Sequence, residues 1–141
     1  MLSIKTLDQE RASFCLKKVR EIKSNKNKHV KSDKDEEIQS NKDKDKDVKM
    51  YKFKTAAKNL PSFIISNGLI PTLAFYKSKS EKKEVYDIIE RWLKEKELIP
   101  KDKDALSELV DKNFNILRLA TMEVLALANW LKRIVEIELK E

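Results

Sequence analysis

The chain has 141 residues, is 40% hydrophobic and 39% charged, and carries a formal net charge of +7 at pH 7. That length is sufficient for one domain with a real hydrophobic core. One Gly and three Pro are too few for the many turns of an all-β protein, so long helices with few connections are favoured. We predict one all-α domain over residues 1–141, a compact bundle of about six helices with a long C-terminal helix.

Two further features of the composition bear on location. The single Cys excludes an internal disulfide framework and favours a reducing compartment. No apolar run is long enough to cross a membrane, and the first residues lack the apolar centre of a signal peptide. We expect a cytoplasmic protein that makes no use of a membrane.

The first predicted helix runs from about Leu7 to Lys23. Thr6 and Gln9 match a Thr-x-x-Gln capping box, in which each side chain accepts a hydrogen bond from the other residue's backbone N–H. Cys15 falls on the apolar arc of this helix, where a free thiol is expected to act as a small core side chain.

The segment 24–49 interrupts the helical pattern. It alternates lysine with acidic residues, and its only aliphatic residues are Val30, Ile38 and Val48. Such a composition buries too little apolar surface to offset the entropy of ordering. We predict a charged, flexible loop, either a solvated spacer or a binding tail.

Helical periodicity resumes at Met50. Pro61 is expected to end or kink that helix, or to open the next short one, because its ring blocks the preceding turn. Gly68, the only glycine, is expected to terminate the short helix in a left-handed conformation. Further helices are predicted to start at Pro71, near Ser80 and at Asp104.

The C-terminal stretch 115–141 has neither Gly nor Pro and predicts the long helix, capped by Asn113 or Asn115. One apolar row predicts its core face; it consists of Leu117, Val124, Ala128, Leu131, Val135 and Leu139. A second apolar row consists of Leu119, Ala126, Trp130 and Ile137. The helix is therefore expected to be central in the bundle or to contact a second protein as well. Glu123 interrupts an apolar stretch, and we expect it to pair with a neighbouring helix or subunit.

Residues with catalytic potential are scarce. His29, the only histidine, lies in the predicted loop and is not expected to pair with Cys15 in the core. One glycine cannot form a Gly-rich phosphate loop, and no Cys/His cluster has zinc-binding spacing. We predict no enzyme activity, no metal, no cofactor and no small-molecule substrate.

Basic residues are distributed unevenly along the chain. Residues 48–80 contain six Lys and no Asp or Glu, and residues 11–20 contain four basic residues and no acid. Lys54 and Lys58 share a helix face, and Tyr51 lies in the same acid-free window. This pattern suits phosphate contacts with a nucleic acid without base-specific readout, although an idle positive surface has the same signature.

Three segments resemble one protein family. LDQERASFCLKKV (7–19), YKFKTAAKNLPSFIISNGLIPTLAFYKSK (51–79) and LATMEVLALANWLKRI (119–134) occur in the same order as in the small subunit of the type III-B CRISPR RNA-guided effector, the Cmr complex. The most specific parts are 60–69 followed by 73–79, and Thr121-x-Glu123 followed by 129–133. The segment 24–49 matches no motif of that family.

The resemblance implies a non-catalytic subunit that stacks beside the backbone subunits and stabilises guide RNA–target RNA binding through a basic face. The implied partners are other Cmr subunits, copies of itself, guide RNA and target RNA. The predicted RNA-backbone contacts are Lys17, Lys18, Arg20, Lys52, Lys54, Lys58, Lys77, Lys79, Arg118, Lys132 and Arg133. The predicted subunit contacts are Leu119, Trp130 and Ile137.

Two other functions remain open at this point. A helical adaptor that binds only protein is favoured if the basic residues of the acid-free windows scatter over all sides of the molecule. An enzyme would need a pocket in which polar groups converge.

Overall fold

The computed structural model describes the backbone of residues 4–28 and 36–140, and the side chains of residues 4–24 and 47–140. Within these ranges it has no strand and six helices: α1 (Leu7–Lys28), α2 (Glu36–Asn67), α3 (Leu69–Ser78), α4 (Lys83–Glu95), α5 (Ala105–Val110) and α6 (Phe114–Glu138). The predicted all-α fold with a long C-terminal helix is confirmed. One hydrophobic cluster contains buried residues from all six helices.

The long helix α6 lies at the centre of the packing, against α1, α2 and α4. Its first apolar row faces the core as predicted, and Val124, Leu131 and Val135 are fully buried. Helix α1 runs beside α6 in the same direction, because successive positions of α1 contact successive positions of α6. These contacts join Arg11 to Glu123, Cys15 to Leu127 and Arg20 to Glu138.

Three helix starts have the predicted capping side chains. Gln9 accepts a hydrogen bond from the Thr6 N–H at 2.8 Å, and the Thr6 hydroxyl accepts one from the Gln9 N–H at 3.1 Å. Asp104 caps α5, and Asn113 caps α6 by accepting from the N–H of Ile116 at 3.0 Å. Each cap satisfies a backbone donor that has no partner inside its helix.

The segment 24–49 is more helical than predicted. Helix α1 continues to Lys28 and α2 begins at Glu36, so the prediction of a loop over the whole segment is wrong. Residues 29–35, which include His29, lie outside the described residues. The segment has no Gly or Pro, the two residues that most disfavour the interior of a helix. The flexibility of the segment stays a prediction.

Helix α2 continues through Pro61 to Asn67, so the prediction that a helix ends or begins at Pro61 is wrong, while the alternative of a kink there stays a prediction. An interior proline costs roughly 3 kcal/mol. Leu60 and Ile64 flank it and are buried, at 0% and 3% exposure. Burying two such side chains contributes roughly 3–6 kcal/mol, so packing outweighs the lost backbone hydrogen bond.

Gly68 separates α2 from α3 and has a φ of +86°, as its predicted role requires. Its ψ of 166° is extended rather than left-handed helical, and the residue is the N-cap of α3. This combination of angles is accessible essentially to glycine alone. The only glycine of the chain is therefore the single residue between these two helices.

Candidate nucleic-acid interface

Basic side chains converge in one groove, between the middle of α2 and the residues that follow α6. This open groove has a volume of about 440 Å³ and is lined by Tyr51, Lys54, Thr55, Lys58 and Lys140. None of the described carboxylates lines it. We call it the α2–α6 groove.

Helix periodicity and core packing together build the groove. Its four α2 residues have the spacing i, i+3, i+4 and i+7, which places them on one side of that helix. Phe53, Ala57 and Leu60, which lie on the core side of α2, are buried and fix its rotation. The fifth residue, Lys140, comes from the chain just beyond α6.

The groove carries a net positive charge. Lys54, Lys58 and Lys140 supply three ammonium groups, and none of them forms an ion pair with a described residue. The C-terminal end of α6 carries a partial negative charge of about −0.5, which offsets only a small part of that charge. The groove can therefore attract an anion.

Three other predicted RNA contacts are held in ion pairs within the protein. Lys18 pairs with Glu21 at 3.5 Å, and Arg20 pairs with Glu138 at 3.1 Å. Lys77 pairs with Asp104 at 2.9 Å and its ammonium group lies 5.7 Å from the centre of the Tyr86 ring. These cations are already partly neutralised.

The remaining predicted contacts are not part of the groove. Lys79 lies over Phe75, with 5.9 Å between its ammonium group and the ring centre. Five others are exposed and make no ion pair within the described part of the chain; they are Lys17, Lys52, Arg118, Lys132 and Arg133. The structure thus brings together Lys54 and Lys58 of the predicted set, and it adds Lys140, which the sequence reasoning missed.

A second surface feature is an apolar strip along the solvent side of α6. It consists of Leu119, Met122, Ala126, Trp130 and Ile137. Leu119 and Ile137 are 58% and 61% exposed, and Met122, which the sequence reasoning did not single out, is 59% exposed. Trp130 is half-buried against the core, and its indole N–H donates to Asp8 at 3.3 Å. We call this feature the α6 apolar strip.

Glu123 joins three helices and confirms the prediction that it is paired. Its carboxylate accepts hydrogen bonds from the Arg11 Nε–H at 2.8 Å, the Arg11 Nη2–H at 2.7 Å and the Trp92 indole N–H at 2.9 Å. The bond from Arg11 is the main reason that the pKa of Glu123 is lowered, and burial acts in the opposite direction. This acid is a structural link, not part of the groove.

Cys15 behaves as the predicted core side chain. It is fully buried, its thiol donates to the Leu127 carbonyl at 3.7 Å, and burial raises its pKa to about 12. Within residues 4–24 and 47–140, no three His, Cys, Asp or Glu side chains are grouped so that they could hold a metal ion. The described helices include none with the length and apolar character needed to span a membrane.

One protein-family comparison covers most of the chain. The family described as CRISPR-associated protein (Cas_Cmr5) matches residues 33–138. The match contains the second and third of the three segments that carried the resemblance, and it begins inside the segment 24–49, for which no family motif was identified. The chain accordingly belongs to the Cmr5 family, the small subunits of type III-B CRISPR Cmr complexes.

Proposed function

We propose that this small subunit has no catalytic activity and stabilises guide RNA–target RNA binding in a Cmr complex through phosphate contacts in the α2–α6 groove. The observation that carries the proposal is the convergence of Lys54, Lys58 and Lys140 with no carboxylate in the lining. Three ammonium groups held together without counter-charges repel one another, and a polyanion relieves that repulsion. We further propose that the partners include copies of this chain.

The α6 apolar strip supports a role in assembly. Family membership gives the chain other Cmr subunits as partners. Exposed apolar side chains grouped along one helix are typical of protein contact surfaces. We therefore keep Leu119, Trp130 and Ile137 as the proposed subunit contacts.

The test of the RNA proposal is the double substitution Lys54→Glu, Lys58→Glu in the assembled complex. We expect weaker target-RNA binding, and a slope of log affinity against log salt that is smaller by roughly 1.4–1.8, because two phosphate contacts are lost. The fold should persist, since neither lysine makes an ion pair with a described residue.

The matched control is Lys101→Glu, Lys103→Glu, which makes the same charge change in the exposed connection between α4 and α5. A general loss of attraction would weaken RNA binding equally in both variants. The proposal is wrong if the groove variant keeps the native RNA affinity and salt slope, or if the control variant loses as much.

The second candidate function is an adaptor that binds only protein. It is favoured by the ion pairs that hold Lys18, Arg20 and Lys77 within the protein, because these cations are less available to RNA. Affinity purification of the complex separates the two functions. Two results together would favour the adaptor. The chain would be recovered with its protein subunits in undiminished amounts after complete RNA digestion, and the variant Lys54→Glu, Lys58→Glu would bind RNA like the native protein.

A further inference from the structure

Tyr51 differs from the other two tyrosines of the chain. Tyr76 is 1% exposed and its hydroxyl donates to the Ala56 carbonyl at 2.7 Å, while Tyr86 is 2% exposed and hydrogen-bonded to Asp104. Tyr51 is 62% exposed, and within the described part of the chain it makes no hydrogen bond, ring–ring pair or cation–π contact. Most of its ring is therefore outside the core and accessible to a ligand.

Tyr51 lies in the α2–α6 groove beside two lysines of the same helix. Lys54 lies about 4.5 Å farther along the helix axis than Tyr51, and Lys58 about 6 Å beyond Lys54, at 1.5 Å rise per residue. An aromatic face is thus followed along α2 by two cations on the same side of the helix. Channels that bind single-stranded nucleic acids combine these same elements, a ring for a base and cations for the backbone.

Phe75, which lies near two lysines in the second half of the acid-free window, does not offer a free ring face. Phe75 is stacked against Phe63 with ring centres 4.9 Å apart and planes inclined by 7°. The ammonium groups of Lys79 and Lys82 lie 5.9 and 5.7 Å from the centre of the Phe75 ring. Phe75 is therefore engaged by the protein itself, whereas Tyr51 is not.

We infer that Tyr51 stacks on an unpaired nucleobase while Lys54, Lys58 and Lys140 neutralise the adjacent phosphates. The groove would then contact an unpaired nucleotide within or beside the guide–target duplex. The chain by itself would prefer single-stranded RNA over a fully paired duplex, because both faces of an internal base in a duplex are covered by neighbouring bases. The inference rests on the proposed function, in that the groove must bind RNA, and it adds the class of RNA that the groove selects. Stacking needs no particular base, so the preference is for strandedness and not for sequence.

The experiment uses the full chain and a 12-nucleotide RNA that contains 2-aminopurine, either alone or annealed to its complement. The native chain should bind the single strand more tightly, and stacking should quench 2-aminopurine fluorescence. Tyr51→Leu should weaken single-strand binding by roughly 5- to 150-fold, the range for loss of one base–aromatic stack, and should abolish the quenching. Its salt slope should be unchanged, since no charge is removed. Tyr51→Phe should retain both affinity and quenching.

Several outcomes decide the matter. Equal single-strand affinity of Tyr51→Leu and the native chain, or tighter native binding of the duplex, overturns the stacking role. If Lys54→Glu, Lys58→Glu weakens binding in that case, the proposed function survives alone. If that double variant binds both RNAs like the native chain, or the native chain binds neither, the groove is not an RNA site and both ideas fail. An acidic peptide serves as a ligand without bases. The inference is also overturned if the native chain binds this peptide and Tyr51→Leu weakens peptide binding as much as it weakens RNA binding.

Discussion

Replacing Glu123 by Gln tests the link between α1, α4 and α6 with little change in side-chain shape. The carboxylate accepts three hydrogen bonds from Arg11 and Trp92, and the Glu123 and Arg11 side chains are each 14% exposed. In either orientation of the Gln amide, its NH2 group faces at least one of these N–H donors and cannot accept a hydrogen bond from it. We expect a loss of about 2 kcal/mol in the free energy of unfolding, because hydrogen bonds to charged groups contribute roughly 1.5–3 kcal/mol.

Thermal unfolding followed by circular dichroism measures this loss. A chain of this size has an unfolding entropy of roughly 0.3 kcal/mol/K, so Tm should fall by about 7 °C at pH 7. The control is Glu136→Gln, the same substitution at an exposed position of α6 that makes no ion pair with a described residue. It should melt within about 2 °C of the native chain. A Glu123→Gln variant that melts like this control would refute the reasoning.

The pH dependence of the Tm difference between the native chain and Glu123→Gln is a second test of the contacts that Glu123 makes with Arg11 and Trp92. The folded-state pKa of Glu123 lies below its ordinary value of 4.5, so near that pH the unfolded chain binds more protons than the folded one. The stabilisation is therefore fully present above pH 4.5 and is lost as the pH falls through the folded-state pKa. The Tm difference between native and Glu123→Gln should shrink below pH 4.5. A difference that stays constant down to pH 3 would contradict the assigned role of the charge.

Two other predictions concern the surface strip and the core thiol. Substituting Leu119→Arg together with Ile137→Arg should abolish co-purification with other Cmr subunits and leave Tm unchanged, whereas Val110→Arg, at an exposed apolar position outside the strip, should leave co-purification intact. Undiminished co-purification of the strip variant would remove the strip as a subunit contact. Cys15 has a pKa raised to about 12 by burial, so it should not react with a thiol reagent at pH 8 until the chain unfolds. Rapid labelling of the native chain would contradict that burial.

Features that depend on short sequence spacing could be predicted. The capping pair of Thr6 and Gln9 is defined by a three-residue spacing, and so is the acceptor role of Asn113 at the start of α6. Four members of the predicted core row of α6, Val124, Ala128, Leu131 and Val135, are buried as the 3.6-residue period indicates. The prediction missed Ala120, Leu127 and Ile134, which are also buried. Lys54 and Lys58 were placed on one face for the same reason.

Features that depend on packing between distant segments could not be predicted. Glu123 was expected to be paired, but its partner Arg11 is 112 residues away, and nothing in either local sequence specifies the other. Lys140 joins the α2–α6 groove because the end of α6 lies beside α2, which is a tertiary fact. Pro61 was expected from its own chemistry to end, kink or open a helix, and the burial of Leu60 and Ile64 keeps α2 continuous through it.

The parallel contact between α1 and α6 also constrains the order of folding during synthesis. Phe14, Cys15 and Val19 form the buried side of α1, and Cys15 bonds to Leu127 of α6. The ribosome makes α6 after the other five helices, so α1 emerges with an apolar side whose partner does not yet exist. Closing a contact over more than a hundred residues is entropically costly and slow. The domain therefore completes its core only when α6 is released, and until then part of the apolar side of α1 lacks its partner.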